Sequence, residues 1–216
     1  MNLFLTSAGL TNKKIKDRFK NETLKLENTK VVVLFTAGDS RTPEWRLKHE
    51  QIFGELGLKC DFINISEAVD LTSQLSDYGI FYVCGGNTFY ILDRLRKTGV
   101  IQVLLDSMIK NKLYVGSSAG SIVMCPDVEI AGVGFDGDKN EIELKDLKGL
   151  NRVPFFIMPH YDDYEREILE NFSHEKNKSV VALTDQQAIF VEGDKFVLLG
   201  DNGGLEIGCV LEKDNL

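Results

Sequence analysis

The sequence predicts a three-layer α/β/α fold with a mostly parallel central sheet, in a chain of 216 residues. One observation is the segment Val31–Phe35, which is apolar without alternation, as in a strand that is buried on both faces. Another is the alternation of such apolar runs with amphipathic segments, because repeated strand, loop and helix units favour parallel strands joined by right-handed crossovers. No internal repeat or low-complexity linker interrupts this pattern, so residues 1–216 are expected to form a single α/β domain.

The elements of the first half follow from the spacing of apolar residues and from the residues that end each run. Strands are predicted at residues 2–7, 30–36, 59–65, 80–84 and 112–115. Helices are predicted at residues 11–28, 42–57, 66–75, 88–97 and 100–109. The second helix has Pro43 at its first position, where the absent N–H costs nothing, and Gly57 at its end.

The character of the chain changes after Pro126. Residues 127–150 are rich in Gly and Asp, which predicts loops and short antiparallel pieces. A strand is predicted at residues 155–158 and a helix at residues 161–172. Residues 180–210 are dense in Val, Ile, Leu and Gly, which predicts strands joined by tight turns.

Composition excludes several classes of function. The net charge of −8 argues against a nucleic-acid surface, which needs clustered Lys and Arg. The four cysteines form no C-x-x-C pair, so neither a disulfide framework nor a zinc site is indicated, and neither a metal nor an organic cofactor is implied. No run approaches the length of a membrane span and no signal-peptide pattern opens the chain, so a cytoplasmic protein with no membrane partner is expected.

The pentapeptide Gly116-Ser117-Ser118-Ala119-Gly120 fits the G-x-S-x-G pattern of a nucleophile on a strand-to-helix turn. It directly follows the strand predicted at residues 112–115. A nucleophilic hydroxyl must stand clear of the sheet, and only small neighbours leave room for a substrate carbonyl. Ser118 is therefore the first candidate for catalysis, although small residues also occur in purely structural turns of this kind.

A serine hydroxyl needs a base, and the chain offers three histidines. His49 lies among charged neighbours in a predicted helix and is expected to be a solvated side chain. His174 lies near a helix end, where interaction with the C-terminal dipole explains it. His160 closes an apolar strand and is expected to lie at the carboxyl end of the sheet beside Ser118, where it can act as general base. Its alternative is a structural, hydrogen-bonded histidine.

The residues alone do not decide which carboxylate orients the imidazole of His160. Asp162 and Asp163 are close to His160 in the sequence but are expected to cap the following helix. Asp185 follows the apolar strand that ends near Leu183, and it is either a catalytic carboxylate or a simple turn residue.

Two backbone N–H groups are needed to stabilise the oxyanion of a tetrahedral intermediate. One is expected from Ala119, the residue after the nucleophile. The other is expected from the glycine pair Gly85-Gly86 after the strand at residues 80–84, because glycine lets the backbone approach closely. The same glycines could instead hold a phosphate at the start of the helix at Thr88, but neither a Walker lysine nor the spacing of a dinucleotide fingerprint is present.

Three ordered motifs resemble the aspartyl dipeptidase, or peptidase E, family of serine peptidases, with cyanophycinase as a more distant relative. They are residues 83–89 (Val-Cys-Gly-Gly-Asn-Thr-Phe), residues 114–120 (Tyr-Val-Gly-Ser-Ser-Ala-Gly) and Pro159-His160. The resemblance covers most of the chain. It implies a flavodoxin-like fold similar to class I glutamine amidotransferases, and a Ser-His-Glu triad whose acid follows the histidine.

The sequence departs from the resembled family at two places. Asp185 stands where the family has glutamate, so the backbone must lie closer for a shorter side chain to reach the imidazole. The arginine-bearing segment that accompanies cleavage after an N-terminal aspartate is shorter here, and Arg166 is its candidate equivalent. A preference for N-terminal Asp is therefore not carried over. Asn87 and Arg166 are the candidate substrate-binding residues.

The resulting hypothesis is a serine peptidase that cleaves dipeptides or short peptides through an acyl-enzyme, as a monomer or a homodimer. Ser118, His160 and Asp185 form the triad, and Gly85, Gly86 and Ala119 supply the oxyanion site. The order Ser, His, acid separates the chain from α/β-hydrolase esterases, in which the acid precedes the histidine. The alternatives are a catalytically inactive or regulatory binding protein of the same fold, or an esterase.

Overall fold

A computed structural model describes residues 2–36, 42–107, 112–209 and 211–214, which form two β-sheets and the helices that cover them. The strands of the described residues are β1 Asn2–Thr6, β2 Val31–Phe35, β3 Cys60–Asn64, β4 Ile80–Val83, β5 Leu113–Ser117, β6 Phe156–Met158, β7 Val180–Ala182, β8 Gln187–Glu192, β9 Lys195–Gly200, β10 Leu205–Ile207 and β11 Glu212–Lys213. The α-helices are α1 Lys13–Thr23, α2 Pro43–Glu55, α3 Thr72–Leu75, α4 Thr88–Lys97, α5 Val100–Ser107, α6 Ala119–Ile122 and α7 Arg166–Lys176.

The larger sheet has the strand order β11-β9-β8-β1-β5-β4-β2-β3. Strands β1, β5, β4, β2 and β3 are parallel neighbours, whereas β8 runs antiparallel to both β1 and β9. This confirms the predicted α/β fold with a mostly parallel central sheet. Strands β6, β7 and β10 form a second, three-stranded sheet. No helix in the described part of the chain is long and apolar enough to cross a membrane.

Strand β2 shows why the central sheet is covered on both faces. Its side chains alternate between two apolar clusters: Val32 and Leu34 belong to one, and Val31, Val33 and Phe35 belong to the other. All five are buried, as the unbroken apolar pattern predicts.

Helices begin where the sequence supplies a capping side chain. Helix α4 has the predicted bounds, and the Asn87 side chain at its N-cap accepts a hydrogen bond from the Tyr90 N–H. Helix α2 starts at Pro43 after Thr42, whose hydroxyl accepts from the Trp45 N–H. The helix predicted at residues 66–75 is shorter than expected and is confined to α3, since Asp70 accepts from the Thr72 N–H just before it. The predicted end of α5 at residue 109 lies outside the described residues.

The segment after His160 corrects two expectations. The helix predicted at residues 161–172 is a 3-10 turn, Asp163–Glu165, followed by α7. Neither Asp162 nor Asp163 caps it through its side chain: the Asp163 carboxylate instead accepts from the Tyr161 hydroxyl and from Arg166. Residues 127–150 contain one 3-10 turn, Glu129–Gly132, and one antiparallel bridge between Asp127 and Lys148 among the positions described.

The expectation of a solvated His49 is wrong. Its imidazole is buried between α2 and the sheet, against the rings of Trp45, Phe62 and Tyr82. The Nδ1–H donates to the backbone carbonyl of Trp45, one helical turn earlier. Its charged neighbours Lys48 and Glu50 are exposed although His49 is buried, which is why the linear pattern misleads.

The nucleophile motif is shaped by close backbone packing. A Cβ on Gly116 would lie 2.4 Å from the Gly120 carbonyl oxygen, because α6 folds back onto β5. A Cβ on Gly120 would lie 2.2 Å from the Val83 carbonyl oxygen at the end of β4. Both distances are far inside van der Waals contact, so the two outer glycines of the motif are required by the fold itself.

We expect Gly120→Ala to lower the free energy of unfolding by about 1–3 kcal/mol, because rigid backbone cannot yield to the new methyl group. The matched control is Gly54→Ala in α2, where the structure places no described heavy atom within 4 Å of the new Cβ. That change should instead stabilise by about 0.5–1 kcal/mol, since alanine favours helix. Urea unfolding of both variants measures the difference, and equal effects would contradict this account of the motif.

Burial lowers the pKa of His49 below 6.5. The unfolded chain then binds the proton more readily than the native state, so stability is complete above the unfolded pKa. It is lost as pH falls from there through the folded pKa. We expect His49→Phe to flatten the decline in unfolding free energy between about pH 7.5 and pH 5, a decline that one histidine can steepen by at most about 1.4 kcal/mol per pH unit. Parallel slopes for the two proteins in urea titrations would contradict this.

Candidate active site

Ser118 lies on a strained turn at the carboxyl end of β5. Its backbone has φ 52° and ψ −114°, which a non-glycine residue rarely adopts. The Ser118 N–H donates to the Thr6 carbonyl at the end of β1, 3.0 Å away. The Ser121 hydroxyl also donates to that carbonyl and to the Gly116 carbonyl. These bonds fix the turn and hold the Ser118 side chain clear of the sheet.

His160 reaches Ser118 from the smaller sheet. The expectation that it closes a strand of the central sheet is wrong, because it follows β6, which pairs with β7 and not with β5. Its backbone φ is 58°, and its N–H donates to the Ser7 hydroxyl oxygen at 2.7 Å. Ser7 follows β1 directly, so this bond joins the end of the small sheet to the end of the central sheet.

Asp185 lies in the turn between β7 and β8. Parallel pairing of β6 with β7 ends both strands on the same side, and the Tyr161 N–H to Leu183 carbonyl bond continues that pairing past the strands. The Thr11 hydroxyl donates to the Asp185 backbone carbonyl. The Ser7 hydroxyl donates to the Asp185 Oδ1 at 3.0 Å. The turn is therefore held close enough for the shorter carboxylate to reach the imidazole.

The three side chains form a continuous hydrogen-bonded chain. The Ser118 Oγ lies 3.0 Å from the His160 Nε2, and the His160 Nδ1 lies 2.6 Å from the Asp185 Oδ1. An ionised carboxylate can only accept, so it assigns the proton to Nδ1 and leaves Nε2 free to accept from the serine hydroxyl. The His160 and Asp185 side chains are 53% and 58% exposed, so the chain is open to substrate and to water.

The three candidate oxyanion residues surround Ser118. Gly85 packs against it, since a Cβ on Gly85 would lie 3.3 Å from the Ser118 Cβ. Gly86 has φ 133°, a conformation that favours glycine. Ala119 opens α6. The N–H groups of Gly86 and Ala119 donate to no other described residue, so both are available to an incoming acceptor.

The phosphate interpretation of the glycine pair loses support at the start of α4. The Thr88 N–H donates to the Asp138 carboxylate at 2.7 Å, and the Tyr90 N–H donates to the Asn87 side chain. These two N–H donors at the helix N-terminus already have acceptors, and the Asp138 carboxylate is negatively charged. This arrangement disfavours phosphate binding at the start of α4.

Neither candidate substrate-binding residue lines the cavity beside Ser118. The Asn87 amide caps α4 and donates to the Lys139 carbonyl. The Arg166 guanidinium is half-exposed and pairs with Asp163 at 2.8 Å. Their side chains are engaged in holding local structure.

A cavity of about 190 Å³, which we call the acidic cavity, opens beside Ser118 and His160. Three of its lining residues carry carboxylates: Asp136, Asp138 and Glu165. Its other lining residues in the described structure are Gly86, Thr88, Ser118, Ile122, Ala131, Val133, Gly137, Met158, Pro159, His160 and Tyr164.

A second recess, which we call the aromatic recess, also opens onto Ser118 and His160. Trp45, His49 and Tyr82 line it, and Lys48 gives it a positive charge. Cys84 lies there too, but burial raises the pKa of its thiol well above the ordinary value, so it is no competing nucleophile at neutral pH.

Sequence reasoning missed Ser7 and Glu165. Ser7 is fully buried and joins His160 to Asp185. A polar residue directly after a central strand was the available signal for it. Glu165 is buried in the acidic cavity although its neighbours in the sequence are charged, and no local pattern marks it.

Comparisons with known proteins identify the family of this chain. The family model for Peptidase family S51 matches residues 3–199. The chain is 28% identical over 202 residues to the uncharacterised peptidase Lmo0363 of Listeria monocytogenes, covering 91% of this chain and 97% of that one. It is 32% identical over 160 residues to a peptidase E of Shewanella amazonensis, covering 67% of this chain and 65% of that one.

Two solved structures share the fold of this chain. A crystal structure of a protein from Listeria monocytogenes EGD-e, provisionally described as a peptidase E, has a TM-score of 0.72 at 25% identity and covers 93% of this chain and 98% of that one. A peptidase from an acI-B1 actinobacterium shares the fold, with a TM-score of 0.71 at 16% identity, covering 95% of this chain and 93% of that one. Because the family model spans nearly the whole chain, the protein belongs to peptidase family S51 and is a serine peptidase.

Proposed function

We propose that the protein hydrolyses dipeptides or short peptides through an acyl-enzyme on Ser118, with His160 and Asp185 completing the triad. The observation that carries the proposal is the hydrogen-bonded chain from Ser118 Oγ through the imidazole to the Asp185 carboxylate. A serine hydroxyl becomes nucleophilic when a base takes its proton, and the base works best when a carboxylate orients it.

In the first half of the reaction, Ser118 Oγ attacks the scissile carbonyl carbon while its proton passes to His160 Nε2. The carbonyl oxygen becomes an oxyanion that the Gly86 and Ala119 N–H groups stabilise. Asp185 stabilises the imidazolium through the proton on Nδ1. As the carbon–nitrogen bond breaks, His160 gives the proton to the leaving amine, and the acyl group stays on Ser118.

In the second half, His160 takes a proton from water, and the oxygen of that water attacks the acyl carbon. A second oxyanion forms on the same two N–H groups. When it collapses, the bond to Ser118 Oγ breaks and the proton returns from His160 to the serine. The free carboxylic acid leaves, and the triad is restored without a cofactor.

The charges around Ser118 support a short substrate with free ends. The acidic cavity carries Asp136, Asp138 and Glu165, whereas the aromatic recess carries Lys48. A dipeptide has an ammonium group on its acyl residue and a carboxylate on its leaving residue. Its two charges therefore match the two sides of the site when the acyl residue occupies the acidic cavity.

Ser118→Ala should lower kcat for dipeptide hydrolysis by several orders of magnitude, as removal of a triad nucleophile does elsewhere. The matched control is Ser117→Ala, which removes the neighbouring hydroxyl of the same motif and should keep kcat within a few-fold. A fluorophosphonate probe should label the wild-type protein and not the Ser118 variant. A folded wild-type protein that neither reacts with the probe nor cleaves any dipeptide would favour the non-catalytic alternative, and cleavage of ester substrates alone would favour an esterase.

Ser7→Ala should lower kcat by roughly 10-fold with a smaller change in KM, because the His160 N–H loses its acceptor and the Asp185 carboxylate loses a donor. The control is Thr11→Val, whose hydroxyl bonds only the Asp185 backbone among the described residues. It should leave kcat nearly unchanged. Steady-state kinetics on both variants, with thermal unfolding to establish folding, test this role. An unchanged kcat for a folded Ser7 variant would remove Ser7 from the positioning machinery.

A further inference from the structure

Glu165 is a buried carboxylate in the acidic cavity that the proposed mechanism does not use. It lies at the start of α7 and is only 5% exposed, yet it lines the same cavity as Ser118 and His160. It makes no side-chain hydrogen bond as the N-cap of α7. Its burial is therefore not explained by helix capping.

Within the described residues, no lysine or arginine forms an ion pair with Glu165. Burial raises the pKa of its carboxyl, with the nearby carboxylates of Asp136 and Asp162 adding to the rise. The backbone of Asp162 and the imidazole of His160 oppose it. A buried charge without a cationic partner is costly, and a positively charged ligand would remove that cost.

Two further features accommodate an N–H donor as the ligand: a hydroxyl in the cavity lining that is unpaired among the described residues, and a glycine packed against Glu165. Thr88 is fully buried, and its Oγ1 is a side-chain oxygen without a hydrogen-bond partner in the described structure. Gly134 has φ 91°, and a Cβ there would lie 2.5 Å from the Glu165 Oε1, so glycine leaves room for the carboxylate. A hydroxyl oxygen and a carboxylate are both acceptors for an ammonium or guanidinium group.

The remaining lining matches the rest of such a ligand. Ile122, Val133 and Met158 provide apolar walls for an aliphatic stem. The Tyr164 ring is exposed at the cavity and packs against Phe135 at 5.6 Å, and an aromatic face attracts cations. The described lining contains neither lysine nor arginine, so an aspartate side chain of the substrate would meet only repulsion there.

We propose that the acidic cavity binds a cationic group of the acyl residue of the substrate, with Glu165 as its ionic partner and Thr88 as a second acceptor. The inference rests on the proposed function, because it assumes that the acyl residue is attached to Ser118. Two sources supply the same chemistry: the α-ammonium group at the substrate N-terminus, and the side chain of lysine or arginine at that residue. The substrate class is accordingly a peptide whose first residue presents a cationic group to the cavity.

The test compares lysyl-leucine, norleucyl-leucine and aspartyl-leucine, each with a free and an acetylated N-terminus, by measuring released leucine. Glu165→Gln keeps the size of the side chain and removes its charge. Its matched control is Glu167→Gln, the same change at an exposed position two residues later in α7. Thr88→Val is the second variant, and circular dichroism establishes the fold of all three.

Two outcomes support the proposal and separate the sources. If the lysine side chain is bound, Glu165→Gln lowers kcat/KM for lysyl-leucine by about 30-fold or more, as truncating a buried charge pair does, and leaves norleucyl-leucine unchanged. If the N-terminal ammonium is bound, Glu165→Gln lowers kcat/KM for all free-amine substrates by the same factor, and the wild type has a low kcat/KM for acetylated substrates. In both cases Thr88→Val lowers kcat/KM for the same substrates by several-fold, and Glu167→Gln leaves kcat/KM unchanged.

Calorimetric titration of lysyl-leucine into Ser118→Ala protein, with and without Glu165→Gln, separates failure of this inference from failure of the proposed function. Weaker binding on Glu165→Gln supports the cation site even when the wild type cleaves nothing. Ser118-dependent hydrolysis that Glu165→Gln and Thr88→Val leave unchanged for every substrate overturns the cation site alone. A wild-type preference for aspartyl-leucine excludes the lysine or arginine side chain as the bound group.

Discussion

The Ser7 hydroxyl is the point on which the geometry of the site depends. It follows β1 in the central sheet, accepts from the His160 N–H and donates to the Asp185 carboxylate. Ser118 is tied to the same strand end through the Thr6 carbonyl. The nucleophile belongs to the central sheet, and the base follows a strand of the smaller one. Two adjacent residues at the end of one strand, Thr6 and Ser7, therefore set the distance between the nucleophile and the base. A small shift between the sheets would otherwise be enough to break a 3.0 Å contact between Ser118 and His160.

Both ends of that contact are held in unfavourable backbone conformations. Ser118 and His160 have φ of 52° and 58°, which costs of order 1–3 kcal/mol for each residue unless the surroundings enforce it. In each case a hydrogen bond to the end of β1 fixes the strained peptide: Thr6 holds Ser118, and Ser7 holds His160. The strain orients the side chains before substrate arrives, so little reorganisation remains for the reaction itself.

Local sequence was sufficient to predict an element where contacts between nearby residues determine its structure. The G-x-S-x-G pattern specifies its turn because Gly116 and Gly120 meet backbone atoms within a few residues or on the adjacent strand. Helix α4 has the predicted bounds because Asn87 caps it. The partition into two sheets was not predictable in this way, since β6 and β8 are both short apolar runs and only long-range pairing assigns them. His49 and Glu165 were missed for a related reason: each is buried by residues distant in the sequence.

The Glu165 carboxylate of the acidic cavity bears on the chemistry as well as on recognition. His160 becomes an imidazolium when it takes the serine proton, and Asp185 is its direct partner at 2.6 Å. Glu165 is a second negative charge close enough to interact with the same imidazole. A cationic group bound at Glu165 neutralises that charge, so the group proposed to recognise the acyl residue also changes the electrostatic field at the base that accepts the Ser118 proton.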